Sequence, residues 1–514
     1  MKKVIIPVAG YGSRVIGISK DSLPKAMLPI NGKPAISYII ENLQDNFLND
    51  IIVIYGHKGD ILKNYLKDNY KDINFTFVEQ KELKGLAHAI YQCKEFINED
   101  DSVLIQLGDT IVKENLIFNY DCILYDIKKD FDRWCLILNN EENEIIDFVE
   151  KPKEFLDIPK AIIGIYNFEN GFEFMNSIEQ IINSNVLINN EFQISQAIKV
   201  YLEKFKVISK QIENKHFDTG SIDNYYQTRR GLISSRFFNE INIDGNVLTK
   251  TSKNTKKLID EINWYMNLPK QLKKYTPTIY EYSLIPSPII SMEYYGYKTL
   301  QELYIYDDLN IYIWEKIFDD IFKMLNDFKN FKVDYSFKDL KYMIIDKTLE
   351  RSGSFLKQNL DKIENFISKN KFEINNCVIH GDLCFNNILY DTNSGILKII
   401  DPRGSFGNQS ISGILEYDVS KLSHSLNGDY DLIKANISNR TKKQNEIIDL
   451  FNSKVNKEYK EKEILLIKVI EYCLFVSMIP LHNDNNNHQK RFLERASNIW
   501  NEIGELIWKE LFLI

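Results

Sequence analysis

Short apolar runs alternate with amphipathic segments over the first part of the chain. Residues 4–8, 51–55 and 103–107 are apolar runs with the length of buried strands. Residues 35–43 and 61–65 carry apolar side chains at helical spacing. Strands that alternate with helices are typical of a mostly parallel sheet covered on both faces. We therefore predict a doubly wound α/β domain at the start of the chain.

The pattern changes at about residue 228. Residues 239–251 predict a hairpin with its turn at Asp244-Gly245, and residues 257–268 predict a helix. From about residue 310 the apolar spacing is largely helical, except at 377–402. The polar segment before the hairpin predicts a domain boundary, so we divide the chain into residues 1–232 and 233–514. A chain of 514 residues is too long for one ordinary core, which agrees with two domains.

Composition and charge narrow the classes of partner. The net charge of −8 argues against a nucleic-acid partner, which usually meets a basic surface. The six cysteines are scattered without a CxxC pair, as expected of unpaired thiols in a reducing compartment. We expect no apolar stretch to reach the roughly 18 residues needed to span a membrane, and therefore a cytoplasmic protein without a membrane partner. Homo-oligomerisation stays open.

The first chemical motif is a glycine loop that follows the first apolar run. The sequence PVAGYGSR occupies residues 7–14, and its glycines let backbone N–H groups approach phosphate oxygens closely. Arg14 and Lys25 can neutralise the charge that builds on a departing pyrophosphate.

Six further motifs follow this loop in order. They are Pro24-Lys25 with Leu28-Pro29, Gln80 with residues 85–89, Gly108-Asp109, Glu150-Lys151 with Gly164-Ile165-Tyr166, Glu191, and Phe217-Asp218-Thr219-Gly220. The ordered set resembles the signature of the sugar-phosphate nucleotidylyltransferases. Two departures affect the expected substrate preference. Residues 15–18 lack the leucine and proline that usually follow the arginine, and Phe217 replaces a common tryptophan.

The resemblance assigns a role to each matched position. It implies that Arg14 and Lys25 are catalytic and that Asp109 and Asp218 bind Mg²⁺. The residues implied in nucleotide binding are Ala9, Gly10, Gly12, Ser13, Gln80 and Gly85. Those implied in binding the sugar phosphate are Gly108, Glu150, Lys151, Gly164 and Glu191.

The second chemical motif lies near residue 380. In HGDLCFNNILY, Asp382 and Asn387 are five residues apart, and Asp401 follows at the end of the apolar run 397–400. This is the spacing of a catalytic loop followed by a metal-binding loop in kinase-like phosphotransferases. The segment resembles the aminoglycoside phosphotransferase and choline kinase family, which implies a bilobal α+β domain.

By this resemblance, Asp382 orients and deprotonates the acceptor hydroxyl, while Asn387 and Asp401 hold Mg²⁺ on ATP. His380 would brace the loop, and Tyr417-Asp418 would support it structurally. The remaining residues implied in nucleotide binding are Lys250 with its partner Glu261, and Glu293 and Tyr295 in an adenine-binding hinge. Arg403 is unusual at its position. It either reaches a substrate phosphate or carboxylate, or pairs with Glu416.

Together the two halves predict a bifunctional enzyme. One half would phosphorylate a sugar or sugar alcohol with ATP. The other would transfer a nucleotide from an NTP, with CTP or UTP favoured, to give a nucleotide-activated building block for surface polysaccharides such as capsule. Two alternatives stay open. The chain could join a choline or amino-alcohol kinase to a cytidylyltransferase, or the kinase-like half could be a regulatory sensor of a small molecule.

Overall fold

The computed structural model divides the chain into two compact units, Met1–Leu232 and Ile233–Ile514. It describes residues 1–10, 23–153, 158–213, 216–233, 239–353, 356–370, 372, 374–407, 409–483 and 485–512.

A nine-stranded sheet forms the centre of the first unit. Four strands lie parallel in the order Asn74–Glu79, Asp50–Tyr55, Lys2–Pro7 and Ser102–Gln106. The long strand Lys160–Phe168 then pairs antiparallel with the last of these. The sheet is completed by Cys122–Ile127, Cys135–Asn139, Ile145–Glu150 and Ile208–Gln211. The four parallel strands are the part that the apolar runs predicted, and mostly antiparallel pairs extend them, while Ile208–Gln211 lies parallel to Cys122–Ile127.

Both faces of this sheet are buried. Val4 and Ile6 join one apolar cluster while Ile5 joins another, as expected when successive side chains of a strand point to opposite faces. The covering helices are Ala35–Asp45, Gly59–Asn69, Leu86–Tyr91, Gly171–Ser184, Ile194–Leu202 and Ile222–Gly231. The apolar runs are therefore strands covered on both sides, which is the layering that the alternation predicted.

The second unit begins with a four-stranded antiparallel sheet. Its order is Asn239–Asp244, Val247–Ser252, Ile289–Glu293 and Ile279–Ser283. The first two strands form the predicted hairpin, with Gly245 in its turn at φ 55°. The helix Thr255–Asn267 follows, and the side chain of Asn254 caps it by accepting from the Lys257 amide.

Helices make up most of the rest of this unit, around a core that includes Trp314, Phe318 and Phe385. Their bounds are Leu300–Tyr306, Ile311–Lys329, Phe337–Lys341, Lys347–Ser352, Lys357–Lys369, Leu415–Leu426, Tyr430–Lys434, Lys442–Glu458, Glu461–Met478 and Asn486–Phe512. Short strands interrupt them at Lys298–Thr299, Asn376–Val378, Ile388–Asp391, Ile396–Ile399, Ser405–Phe406, Gln409–Ser410 and Ser412–Ile414.

One segment corrects the expectation about apolar stretches. Glu461–His482 is helical and, by length and composition, apolar enough to cross a membrane. In the sequence, the charged residues Lys468 and Glu471 interrupt this apolar run. However, 67% of its apolar window is buried inside the unit, where it packs against neighbouring helices. This burial is typical of a core helix.

Candidate active sites

Two short strands bring the predicted metal-binding aspartates of the first unit together. Thr110–Ile111 pairs antiparallel with Phe217–Asp218, and the register sets Asp218 opposite Thr110. The amide of Thr219 also donates to the carbonyl oxygen of Asp109 over 3.0 Å. Asp109 and Asp218 are therefore neighbours in space although they are far apart in sequence.

Lys25 completes a charged group with these two carboxylates. Its Nζ lies 2.5 Å from Oδ2 of Asp109. Burial works to raise the pKa of Asp109, but the charge of Lys25 outweighs it and the pKa is lowered. Burial and the charge of Asp109 together raise the pKa of Asp218. Two close carboxylates that share a single lysine form a donor set that suits a divalent cation and phosphate oxygens.

A single helix positions both sides of this group. Ile222–Gly231 begins just after Asp218, and its Asn224 donates a side-chain hydrogen bond to that carboxylate. Further along the helix, Tyr225 Oη and Arg229 Nη1 donate to the carbonyl oxygen of Pro29, over 2.5 and 2.9 Å. Pro29 lies shortly after Lys25. The helix thus links the segment that carries the lysine to the one that carries the second aspartate, a role that the sequence did not suggest for Asn224.

The predicted phosphate loop is described only at its start. Ala9 is buried and follows the strand Lys2–Pro7 together with Gly10. Gly12, Ser13 and Arg14 lie outside the described residues, and their roles stay predictions. Gly108 follows the neighbouring parallel strand, and its amide donates to the carbonyl oxygen of Pro7 over 3.3 Å. The start of the loop and Gly108-Asp109 therefore share one edge of the sheet.

The segment predicted to recognise the base packs closely on the segment of Glu191. Gly85 has φ 102°, and a Cβ there would lie 2.6 Å from the carbonyl oxygen of Phe192 and 2.9 Å from Cβ of Glu191. Gln80 is buried and donates from its amide to the carbonyl oxygen of Glu82 over 3.0 Å. The carboxylate of Glu191 is exposed and accepts from the side chain of Gln193. The structure thus brings Gly85 and Glu191 together.

The predicted sugar-binding positions fall into two places. Gly164, with φ 87°, packs against Thr110, so it lies beside Asp109. Glu150 accepts a hydrogen bond of 2.7 Å from Ser195 Oγ. Lys151 follows with φ 45°, and its amide donates to the carbonyl oxygen of Trp134.

In the second unit, Lys250 joins two acidic side chains. It lies on the strand Val247–Ser252 and is buried. Its Nζ is 2.9 and 2.7 Å from the two carboxylate oxygens of Glu261 and 2.7 Å from Oδ1 of Asp401. Burial would lower the pKa of Lys250, but the charges of Asp401 and Glu261 outweigh it and raise the pKa. The lysine is therefore held in its charged form beside a predicted metal ligand.

The loop 380–387 is held by backbone and side-chain contacts. Nδ2 of Asn387 donates to Asp382, to the carbonyl oxygen over 2.9 Å and to Oδ2 over 3.2 Å. The amide of Ile400 donates to the carbonyl oxygen of Asn387, which places Asn387 beside the segment of Asp401. Among the described residues, no group of three or more His, Cys, Asp and Glu side chains forms a metal site. The candidate ligands here are the pair Asn387 and Asp401.

His380 and Asp418 brace this loop from behind. Both oxygens of Asp418 accept backbone amides, from His380 over 2.7 Å and from Gly381 over 2.8 Å. Burial lowers the pKa of His380 to about 4, so the ring is neutral. Its Nδ1 accepts from the Asp382 amide, which leaves Nε2 to donate to the carbonyl oxygen of Ile400 over 3.0 Å.

Lys421 is a charged neighbour of Asp382 that the motif did not include. Its Nζ lies 2.8 Å from Oδ1 of Asp382. Burial works to raise the pKa of Asp382, but Lys421 outweighs it and holds that pKa well below its usual range. A carboxylate with so low a pKa is a weak base. Asp382 is therefore better suited to orienting a hydroxyl than to removing the hydroxyl proton early in the reaction.

The remaining predicted positions are Glu293, Tyr295 and Arg403. The amide of Glu293 donates to the carbonyl oxygen of Thr278, and its carboxylate accepts from Tyr295 Oη over 2.7 Å. For Arg403, the pairing with Glu416 is wrong, because Glu416 is buried and accepts from both the amide and the side chain of Asn375. The Arg403 guanidinium instead lies over the ring of Phe406, 4.5 Å from its centroid.

Comparisons with known proteins match the first unit of the chain. The nucleotidyl transferase family profile matches residues 3–235. The chain is 31% identical over 264 residues to the UTP–glucose-1-phosphate uridylyltransferase of Staphylococcus epidermidis, covering 43% of this chain and 88% of that protein. It is 31% identical over 262 residues to the enzyme of the same name from Bacillus subtilis, covering 43% and 87%.

A third similar protein, UTP–glucose-1-phosphate uridylyltransferase AglF of Haloferax volcanii, is 27% identical over 42% of this chain and 91% of its own length. Among solved structures, a UDP-glucose pyrophosphorylase complexed with UDP-glucose is 26% identical, covers 45% of this chain and 98% of that one, and has a TM-score of 0.39. The aspartate pair, the lysine beside it and the similarity to the uridylyltransferases of Staphylococcus epidermidis and Bacillus subtilis lead to one conclusion: through residues 3–235, the chain belongs to the nucleotidyl transferase family.

Proposed function

We propose that this nucleotidyl transferase is bifunctional. The N-terminal unit transfers a uridylyl group from UTP to a sugar 1-phosphate and releases pyrophosphate. The C-terminal unit uses ATP to phosphorylate the sugar or sugar alcohol from which that phosphate ester derives. UTP is preferred over CTP because the similar proteins named above are UTP-dependent by their names. The capsule or another surface polysaccharide is the expected destination of the product.

The N-terminal reaction is supported by the group of Lys25, Asp109 and Asp218. Attack of a sugar phosphate on the α-phosphate of UTP brings several negative charges together, so catalysis needs positioning and charge neutralisation. Asp109 and Asp218 would hold Mg²⁺, which supplies the compensating positive charge when bound. Lys25 can release Asp109 and donate to a phosphate oxygen, and the backbone at Gly10, where an added Cβ would meet nothing within 4 Å, leaves space for the phosphates.

The C-terminal reaction is supported above all by one observation: Lys250, Glu261 and Asp401 meet within hydrogen-bond distance, although they come from three separate segments. A buried lysine bound to a helix carboxylate is suited to hold ATP phosphates from one side. Asn387 and Asp401 would hold Mg²⁺ on the same phosphates. Asp382 would orient the acceptor hydroxyl and take its proton as the phosphoryl group transfers.

The two activities fit together chemically. A kinase product carries the phosphate that attacks the nucleotide, so one unit makes the nucleophile of the other. Fusion in one chain keeps the two sites at a fixed ratio and at a high effective concentration. The presence of Lys250, Asp382, Asn387 and Asp401 as one connected group argues for turnover by the C-terminal unit over a purely regulatory role.

Two substitutions test the proposal separately. Asp109→Asn should lower pyrophosphate release from UTP at least 100-fold and leave ADP release from ATP unchanged. Asp382→Asn should do the reverse. Lys442→Gln, which removes a 94%-exposed side chain, is the matched control and should affect neither. Parallel assays with UTP and CTP, over a panel of sugars, polyols and choline, identify the substrates by mass spectrometry of the products.

Each part of the proposal has a result that would refute it independently of the others. Normal ADP release by Asp382→Asn would refute the phosphotransfer assignment. Turnover of choline alone would replace the sugar proposal with the amino-alcohol alternative. Preference for CTP would overturn the nucleotide choice while leaving the family intact.

A further inference from the structure

Beside Asp382 lies a group of four cationic side chains, which we call the cationic cluster: Lys347, Arg351, Arg403 and Lys421. Lys347 and Arg351 are one turn apart on the helix Lys347–Ser352, and Lys421 lies on the helix Leu415–Leu426. Arg403 follows the predicted metal ligand Asp401, and its amide donates to the carbonyl oxygen of His380. The cluster therefore gathers side chains from three segments at the predicted acceptor side of the loop.

Two aromatic rings hold the cluster together. Lys347 Nζ donates to Tyr417 Oη over 2.5 Å, and it lies 5.2 Å from the ring centroid of Phe406. The guanidinium of Arg403 also lies over the ring of Phe406, 4.5 Å from its centroid. The rings of Phe406 and Tyr417 meet edge to face. The lysine and the arginine thus share an aromatic wall that fixes their positions.

Acidic partners are few. Lys421 pairs with Asp382, but among the described residues no carboxylate lies within ion-pair distance of Lys347, Arg351 or Arg403. Lys347 is 4% exposed, and burial, followed by the positive charges of Arg403, Lys421 and Arg351, lowers its pKa. Like charges one helical turn apart also repel each other. A group of cations in which Lys347 is buried and Arg351, Arg403 and Lys421 are half-buried, with so little compensation, is costly unless an anion binds there.

We propose that the cationic cluster binds an anionic group of the acceptor, so that the alcohol phosphorylated by the C-terminal unit already carries a carboxylate or a phosphate. This inference rests on the proposed phosphotransfer function and narrows its substrate class. It places the anion of the acceptor against Arg351, Arg403 and Lys347, and the hydroxyl near Asp382. Guanidinium groups suit this task because they bind carboxylate and phosphate oxygens in pairs. Choline, which is a cation, would be repelled.

The first test measures anion binding without turnover. Inorganic phosphate is titrated into the full chain with a saturating non-hydrolysable ATP analogue and Mg²⁺, and binding is followed by tryptophan fluorescence, because four of the five tryptophans lie in residues 233–514. Arg351→Gln and Lys347→Met should each weaken phosphate binding at least tenfold. Lys442→Gln should not change it. Equal affinity in the wild type and Arg351→Gln would overturn the proposal.

The second test identifies the source of the anion. ADP release is compared for glucose, glucuronate, glucose 6-phosphate and glucosamine, and for the corresponding derivatives of any other sugar that the panel identifies. An acid or a phosphate ester should exceed its neutral parent at least 100-fold in kcat/KM. Arg351→Gln should raise the KM for that acceptor and leave the KM for ATP unchanged. Faster turnover of the neutral or amino sugar, or a higher KM for ATP instead, would contradict the inference.

The two proposals fail differently. If Arg351→Gln weakens phosphate binding but no acceptor releases ADP, the anion site stands and the phosphotransfer function is wrong. If a neutral sugar is the best acceptor and Arg351→Gln leaves the affinity for phosphate unchanged, the phosphotransfer function stands and the proposal of an anionic acceptor is wrong.

Discussion

Replacing Asp431 by asparagine should stabilise the C-terminal unit, and the gain should grow as the pH rises. Asp431 lies in the helix Tyr430–Lys434 and has no exposed surface. Among the described residues, no group makes a hydrogen bond of standard geometry to either carboxylate oxygen, and only the nearby Ser425 hydroxyl moderates the cost of ionisation. Burial raises the pKa of Asp431 to about 7.

The size and sign of the effect follow from proton linkage. An aspartate in the unfolded chain ionises near pH 4, so between about pH 4 and pH 7 the folded unit holds a proton that the unfolded chain has lost. The stability of the folded unit therefore falls across this window. A difference of about 3 pKa units corresponds to roughly 4 kcal/mol, which is an upper limit because the site can relax. Asp431→Asn cannot ionise, so its advantage should reach this limit at pH 8 and nearly vanish at pH 4.

Urea unfolding at pH 5, 6, 7 and 8, followed by tryptophan fluorescence, measures this advantage in the full chain. Asp429→Asn is the matched control, because Asp429 is a near neighbour that is paired with Arg440 at 2.5 Å. It should lose up to about 1 kcal/mol and show no gain at high pH. An Asp431→Asn advantage that is independent of pH, or a loss of stability at pH 8, would refute the reasoning.

Three further substitutions have separate readouts. Gly85→Ala should lower pyrophosphate release at least tenfold, since φ 102° is strained for alanine and the new Cβ meets backbone at 2.6 Å, whereas Gly245→Ala, with open space around it, should not. Gly404→Ala should reduce both ADP release and the unfolding midpoint of the C-terminal unit, because the new Cβ would lie 2.5 Å from the carbonyl carbon of Asp260. An unchanged midpoint would contradict this geometry. Asp418→Asn turns a side-chain NH₂ group toward a backbone N–H donor, so ADP release should fall at least tenfold while pyrophosphate release stays unchanged. Unaltered ADP release would show that Asp418 does not position the loop.

Local pattern predicted the elements of the N-terminal unit well because its strands are buried on both faces. Such strands are continuous apolar runs, and these are easy to recognise without knowing their partners. The antiparallel extension was not foreseen, because pairing direction depends on contacts between strands such as Lys160–Phe168 and Ser102–Gln106, which no local pattern records. The meeting of Asp109 with Asp218 could be anticipated only because both belong to motifs in a known order.

The sequence alone did not indicate that the residues of the cationic cluster lie together. Lys347, Arg351 and Lys421 lie in helical segments rich in charge, where each is indistinguishable from a solvated surface residue. Their proposed function depends on the contact between the helix of Lys347 and Arg351 and the helix of Lys421. It also depends on the burial of Lys347. Of the four, only Arg403 stands out in the sequence, because an arginine is unusual at its position after Asp401. Burial is the information that the sequence lacked, since the same four residues on an open surface would need no anion.

The charges of the acceptor site bear on how the two reactions connect. An acceptor that carries a carboxylate would leave the kinase reaction with one phosphate, and that product could serve the nucleotidyl transfer directly. An acceptor that carries a phosphate would leave it as a bisphosphate, with two phosphates able to attack UTP. Among the described residues of the N-terminal unit, one aspartate pair and Lys25 form the group suited to the reacting phosphates, and Arg14 lies outside those residues. A second phosphate would then need either its own cations or removal by a phosphatase before nucleotide transfer.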